Sequence, residues 1–163
     1  MERDAQPLSD ESGAEALGAL GALARDPGMG LRLAQIVVFR DLTATFRPLD
    51  LSPAEFAALT IIRATPGLRL GLLAETMMIH QANLVGFIGA LQKRDLIDRT
   101  RDAVDKRSFR LSLTPAGAAL LTQADEAHEG HRRRLADHLG SENRDELARL
   151  LNRLATFRPL DSE

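Results

Sequence analysis

The sequence predicts a mainly α-helical chain carrying one small β-hairpin. Three observations carry that prediction. In "RSFRLSL", residues 107–113, Phe109, Leu111 and Leu113 fall on one side while Ser108, Arg110 and Ser112 fall on the other. A period of two is the mark of a half-buried strand, here with its basic residues held toward solvent or toward something anionic. In "LSPAEF", residues 51–56, Ser52 is an N-cap, Pro53 stands at the first helical position and Glu55 completes a capping box. Leu51 and Phe56 add the spacing of a hydrophobic staple. Leu84, Phe87, Ile88 and Leu91 form an i, i+3, i+4, i+7 stripe, which makes His80 to Arg94 an amphipathic helix.

The remaining elements follow in order. Residues 1–12 carry no element signal, and "SGAEALGALGALAR" from Ser12 to Arg25 has Leu17, Leu20 and Ala24 at helical spacing. Its glycines weaken it as an isolated helix, so it needs a partner surface. "DPG" at 26–28 reads as its terminator. Residues 31–46 form a second helix on Leu33, Ile36, Val37, Arg40 and Thr43, and Arg47 before Pro48 leaves the helical region. The capped helix from Pro53 runs to Ala64 and stops at "TPG", 65–67. Leu68 and Arg69 are extended, a short helix spans 70–78, and the striped helix follows. Strands at 96–101 and 107–113 are joined by "DAVDK". Thr114 caps and Pro115 begins a long helix to Leu139, Gly140 ends it, and Ser141 caps a last helix through Thr156.

Two helices joined by a tight turn and followed by a basic hairpin make the pattern of a winged helix-turn-helix. The flanking N- and C-terminal helices are too apolar to stand alone, and a dimer interface is the natural place to bury them. At 163 residues the chain suits one domain, and its 44% hydrophobic and 27% charged content is ordinary for a soluble protein. With no cysteine, disulfides, thiolate catalysis and cysteine zinc sites are excluded. The absence of Trp and Tyr argues against an RNA platform or a single-strand binder that stacks on bases. No apolar run approaches the roughly 20 residues of a membrane span. Met1 to Gln6 is polar and mixed in charge, unlike a secretory signal, so a cytoplasmic protein is expected. "ATFRPLD" occurs twice, at 44–50 and 155–161, each time where a helix should end before proline. The flanks show no similarity, so it is not an internal repeat.

Charge is distributed unevenly along a chain whose net charge is −2. Residues 1–30 carry six acidic side chains against two basic, whereas residues 92–110 carry seven basic against four acidic. Arg99, Arg101, Lys106 and Arg107 on a projecting hairpin can neutralise DNA phosphates or enter a narrow minor groove. Asp105, two residues before Arg107, can hold its guanidinium in one orientation. On the striped helix, which starts at His80, the apolar face leaves Gln81, Asn83, Val85 and Gly86 outward. Gln and Asn can bind adenine bidentately in the major groove, and helix N-termini favour phosphate. His128, His131 and His138 lie on the long helix, but a pair without a third ligand, beside "HRRR", reads as solvated or interface histidines and not as a metal site. No local arrangement orients a catalytic group, so neither an enzyme nor a cofactor is expected.

Residues 51 to 122 resemble the multiple-antibiotic-resistance regulator (MarR) family. The matching text is "LSPAEFAALTIIRATPG" and "LAETMMIHQANLVGFIGALQKRDLIDRTRDAVDKRSFRLSLTPAG", of which "DKRSFRLSLTPAG" is the most specific part. The resemblance implies a winged helix-turn-helix at 51–117, dimerisation helices at 31–47 and 115–157, and an N-terminal extension, 1–30, containing a helix. It implies that Gln81, Ala82, Asn83 and Val85 approach base edges, with His80 beside them, and that Arg107 reaches the minor groove with Asp105 orienting it. Asp95 stands where the family usually has Gly, although Asp tolerates a left-handed backbone. Gly86 stands where a polar or basic contact residue is common, which shifts specificity toward the wing and DNA shape.

The function so implied is a homodimeric repressor on a pseudo-palindromic operator in double-stranded DNA, released by a small-molecule effector. The family's pocket lies between the dimerisation helices and the DNA-binding lobe, which points to Ile36, Phe39, Arg40, Thr43 and Phe46, residues that plain helix packing also explains. "IHQANLVGFIGALQKRDLI" resembles regulators of aromatic-acid breakdown, so an aromatic carboxylate or its coenzyme A thioester is the expected effector. The rival from another class is a winged helix used as a protein-interaction module without DNA.

Overall fold

The computed structural model describes residue 15, residues 18–102 and residues 109–157. These fall into two compact units, divided between Asp41 and Leu42. Residues 18 and 19 are helical, and Gly21–Arg25 forms a short 3₁₀-helix where an α-helix to Arg25 was expected. Helix α1 spans Pro27–Phe46 and so begins four residues earlier than the pattern suggested. The reason is local: the Asp26 carboxylate accepts a hydrogen bond from Met29 N at 2.7 Å, with Pro27 at the first helical position. "DPG" is therefore a helix start, not a stop.

In the second unit a 3₁₀-turn, Arg47–Leu49, leads to α2, Pro53–Ala64. The capping box is present in full: Glu55 N donates to Ser52 Oγ at 3.2 Å and Ser52 N to Glu55 Oε2 at 2.7 Å. Strand β1 is Leu68–Arg69, followed by α3, Leu70–Thr76, and α4, Gln81–Lys93. Strands β2, Ile97–Arg101, and β3, Phe109–Leu113, precede α5, Pro115–Leu139, and α6, Ser141–Ala155. Gly140, at φ 80°, is the N-cap of α6, a role the sequence pattern had given to Ser141.

The hairpin gains a third strand. All pairs are antiparallel in the order β1-β3-β2, with Leu68 opposite Leu111 on one side of β3 and Arg99 opposite Leu111 on the other. The fold is thus mostly helical with a small three-stranded sheet, a winged helix. Its core gathers Leu59 and Ile62 of α2, Leu73 of α3, Leu84, Ile88 and Leu91 of α4, Leu111 of β3 and Leu121 of α5, with Phe46 from the end of α1. Helix α5 is joined to α2 by the Arg63–Asp125 ion pair. Among the described residues no helix is long and apolar enough to cross a membrane.

Candidate nucleic-acid interface

Helices α3 and α4 meet at a four-residue turn, Met77 to His80. Leu70, Leu73 and Ala74 bury one face of α3, and Leu84, Ile88 and Leu91 bury one face of α4. Because α-helical side chains repeat every 3.6 residues, fixing that stripe inward turns His80, Gln81, Ala82, Asn83, Val85 and Gly86 outward, and all six are exposed. His80 is the N-cap residue but makes no side-chain cap bond, so it leaves the first-turn amides of α4 uncapped by its side chain. A Cβ added at Gly86 would meet nothing within 4 Å, so this face is smooth enough for close approach.

The far end of α4 is tied down. Arg94 donates to Glu55 Oε1 at 2.8 Å and to Asp50 O at 2.6 Å, so the carboxylate that caps α2 also fixes where α4 ends. Asp95 then adopts φ 55°, the left-handed conformation its residue type tolerates. Thr114 Oγ1 donates to Asp95 O at 2.5 Å and accepts from Gly117 N at 2.9 Å, joining α4, the sheet and the start of α5. A sequence scan finds the Thr114 cap but misses the links from Arg94 to Glu55 and Asp50 and from Thr114 to Asp95, because those partners lie far along the chain.

At the root of the wing, Asp102 is 2% exposed. Its carboxylate lies 2.9 Å from Arg110 Nη2 and 3.5 Å from Arg69 Nε, and Arg110 also donates to Gly67 O at 3.1 Å. The anion that Arg110 faces is therefore internal, and this arginine braces β1 and β3. Arg99 sits over Phe109, its guanidinium carbon 3.5 Å from the ring centroid. It is half-buried, whereas Arg101 at the end of β2 is exposed. Asp105, Lys106 and Arg107 lie outside the described residues.

Of the residues suggested for an effector site, Ile36, Phe39, Arg40 and Thr43 are exposed at i, i+3, i+4 and i+7 on α1, and Phe46 is fully buried. Phe46 packs on Phe56 at 4.6 Å between centroids with the ring planes inclined by 34°, and His128 packs on Phe56 at 4.8 Å and 51°. Of the histidines read as solvated or interface residues, His138 is exposed, whereas His131 is 3% exposed within the chain and stacked on His128 at 5.9 Å. Among the described residues no three metal-ligating side chains converge.

Burial among these rings holds His128 below the ordinary imidazole value of 6.5, with further lowering from His131 and Arg132 that Asp125 and Glu129 partly oppose. The unfolded chain then binds this proton more readily than the folded one. The stability contributed by neutral His128 is complete above about pH 6.5 and is lost as the pH falls toward the lower folded value. Thermal unfolding of wild type and His128→Phe between about pH 7.5 and pH 5 should diverge, the variant losing less on acidification. Parallel curves would remove His128 from the account.

The comparisons with known proteins agree with this geometry. The MarR family model matches residues 51–109. A protein named as a transcriptional regulator for the hcr operon of Thauera aromatica is 29% identical over 135 residues, 82% of this chain and 81% of that protein. The transcriptional repressor CouR bound to a 23-mer DNA duplex is 37% identical, with a TM-score of 0.81 over 83% of this chain and 96% of that one. CouR bound to p-coumaroyl-CoA is 34% identical, with a TM-score of 0.78 over 85% and 98% of the two chains. With its helix-turn-helix, its wing and relatives at this identity along most of their length, the chain belongs to the MarR family of transcriptional regulators.

Proposed function

We propose that this regulator is a homodimeric repressor that grips a pseudo-palindromic operator in double-stranded DNA and lets go when a small aromatic effector binds. The observation that carries the reading is the outward row of α4, in which Gln81, Ala82, Asn83 and Val85 are exposed while Leu84, Ile88 and Leu91 are fully buried. Side chains held this rigidly can enter a major groove, where Gln and Asn pair bidentately with adenine. Arg99, Arg101, Lys106 and Arg107 supply phosphate and minor-groove contacts, with Asp105 orienting Arg107. The DNA-bound state of CouR supports the same use of the fold.

A second copy of the chain is the partner for its outer helices. Leu147, Leu150, Leu151 and Leu154 form an exposed i, i+3, i+4, i+7 stripe on α6, and Ile36, Val37 and Phe39 are exposed on α1. Single chains seldom leave such stripes in water, and a two-fold dimer would set paired α4 helices one DNA turn apart. In this reading residues 31–163 form the MarR-type domain, with its winged helix at 51–117 and dimerisation helices at 31–47 and 115–157, and 1–30 is an extension. The effector is an aromatic carboxylate or its coenzyme A thioester, meeting the exposed Ile36, Phe39, Arg40 and Thr43, while the fully buried Phe46 is left to the core. The p-coumaroyl-CoA complex of CouR supports that class.

The test is binding to duplexes retained from a random-sequence pool. Affinity should fall steeply with salt, by about 0.9 in log K per log salt for each phosphate contacted. Arg107→Ala should weaken binding by about 1–3 kcal/mol with folding intact. Adding p-coumaroyl-CoA or p-coumarate should release the duplex, and indifference to both would end the effector assignment. A protein that retains no duplex at modest ionic strength would instead be a protein-interaction module.

A further inference from the structure

The turn that aims α4 is built on a residue type poorly suited to it. Met78 N donates to Glu75 O at 3.1 Å and Ile79 N to Ala74 O at 3.0 Å, the two bonds of a Schellman cap, with Met78 at φ 52°. Two other caps in this chain repeat the pattern, with Asp50 at φ 48° and Asp95 at φ 55°. Asp tolerates that conformation because its short polar side chain bonds locally, and glycine does so freely. A methionine has neither advantage. Its side chain is 82% exposed, so folding gains almost nothing from it, while its neighbour Met77 packs against the core. Strain kept without a return in burial points to use elsewhere.

Met78 lines a concavity of about 340 Å³ together with Glu75, His80 and Gln81, between the end of α3 and the first residue of α4. Its thioether cannot donate a hydrogen bond to a phosphate or a base edge. The apolar group that the major groove presents is the 5-methyl of thymine, and a flexible methionine suits such a contact. We propose that Met78 is a specificity-determining residue, its side chain meeting a thymine methyl at the edge of each half-site. This rests on the DNA-binding reading above.

The experiment uses a duplex retained by the wild-type protein from a random pool, with each thymidine replaced singly by deoxyuridine, which lacks only the methyl. Wild type should lose roughly fourfold in affinity at one position per half-site, the equivalent of one methyl-sized group returned to water. Met78→Gly should melt at a higher temperature, bind the unmodified duplex more weakly, and no longer distinguish thymine from uracil at that position. A variant that is more stable yet binds worse cannot owe its loss to misfolding. Wild-type indifference to every replacement, or a Met78→Gly loss equal on both duplexes, would overturn the proposal while leaving DNA binding in place. A wild type that retains no duplex would overturn both.

Discussion

Replacing Gly117 with alanine should destabilise the chain by about 3 kcal/mol, the upper end of what overpacking a closed interior costs. A Cβ at this position would lie 1.9 Å from the carbonyl oxygen of Leu96 and 2.8 Å from its carbon. Both are backbone atoms, so no side chain can swing aside. That same carbonyl accepts from Thr114 N at 3.2 Å, and Leu96 leads directly into β2. Room for a methyl group therefore requires prising the start of α5 away from the wing. Gly130, in the middle of the same helix, is the control: a Cβ there meets only the end of the flexible Arg134 side chain at 3.7 Å. Gly130→Ala should stabilise by about 0.5–1 kcal/mol through lower backbone entropy in the unfolded chain. Urea unfolding of the two variants should give opposite signs. A Gly117→Ala protein within about 0.5 kcal/mol of wild type would mean that α5 does not pass so close to Leu96.

Phe46→Ala should cost about 3–5 kcal/mol, the range for truncating an enclosed aromatic ring. Phe46 is 0% exposed and its ring lies 4.6 Å from Phe56 and 6.2 Å from His128, so alanine leaves a cavity where α1, α2 and α5 meet. Phe157 occupies the same place in the second "ATFRPLD" and is 71% exposed. Phe157→Ala should stay within about 0.5 kcal/mol in the same unfolding measurement. Equal losses at the two positions would put Phe157 in an interior that the single chain does not form.

Much of the fold could be read locally. The capping box at Ser52 and Glu55, the Thr114–Pro115 start and the stripe of α4 all involve residues at most a few positions apart, where backbone geometry leaves little choice. For that reason the outward residues of α4 were legible too. The start of α1 is also written locally, in Asp26 and Pro27, but a proline beside a glycine carries the signal of a turn as well as that of a helix start. Pairings across long stretches were not legible. Nothing near Leu68 announces Leu111 as its partner, and nothing near Arg110 says that Asp102 will take its charge.

The duplicated heptapeptide separates the two kinds of information. Each copy closes an α-helix, α1 at Phe46, where the chain tightens into the 3₁₀-turn Arg47–Leu49, and α6 at Ala155, because the proline ahead has no N–H to continue the α-helical ladder. The sequence alone determined that much, along with the helix faces and the cationic stretch after α4. Whether the phenylalanine is then enclosed or left in water was decided by tertiary structure. Burial depends on which remote surfaces arrive: Phe56 and His128 converge on Phe46, and the described residues bring no such cluster to Phe157.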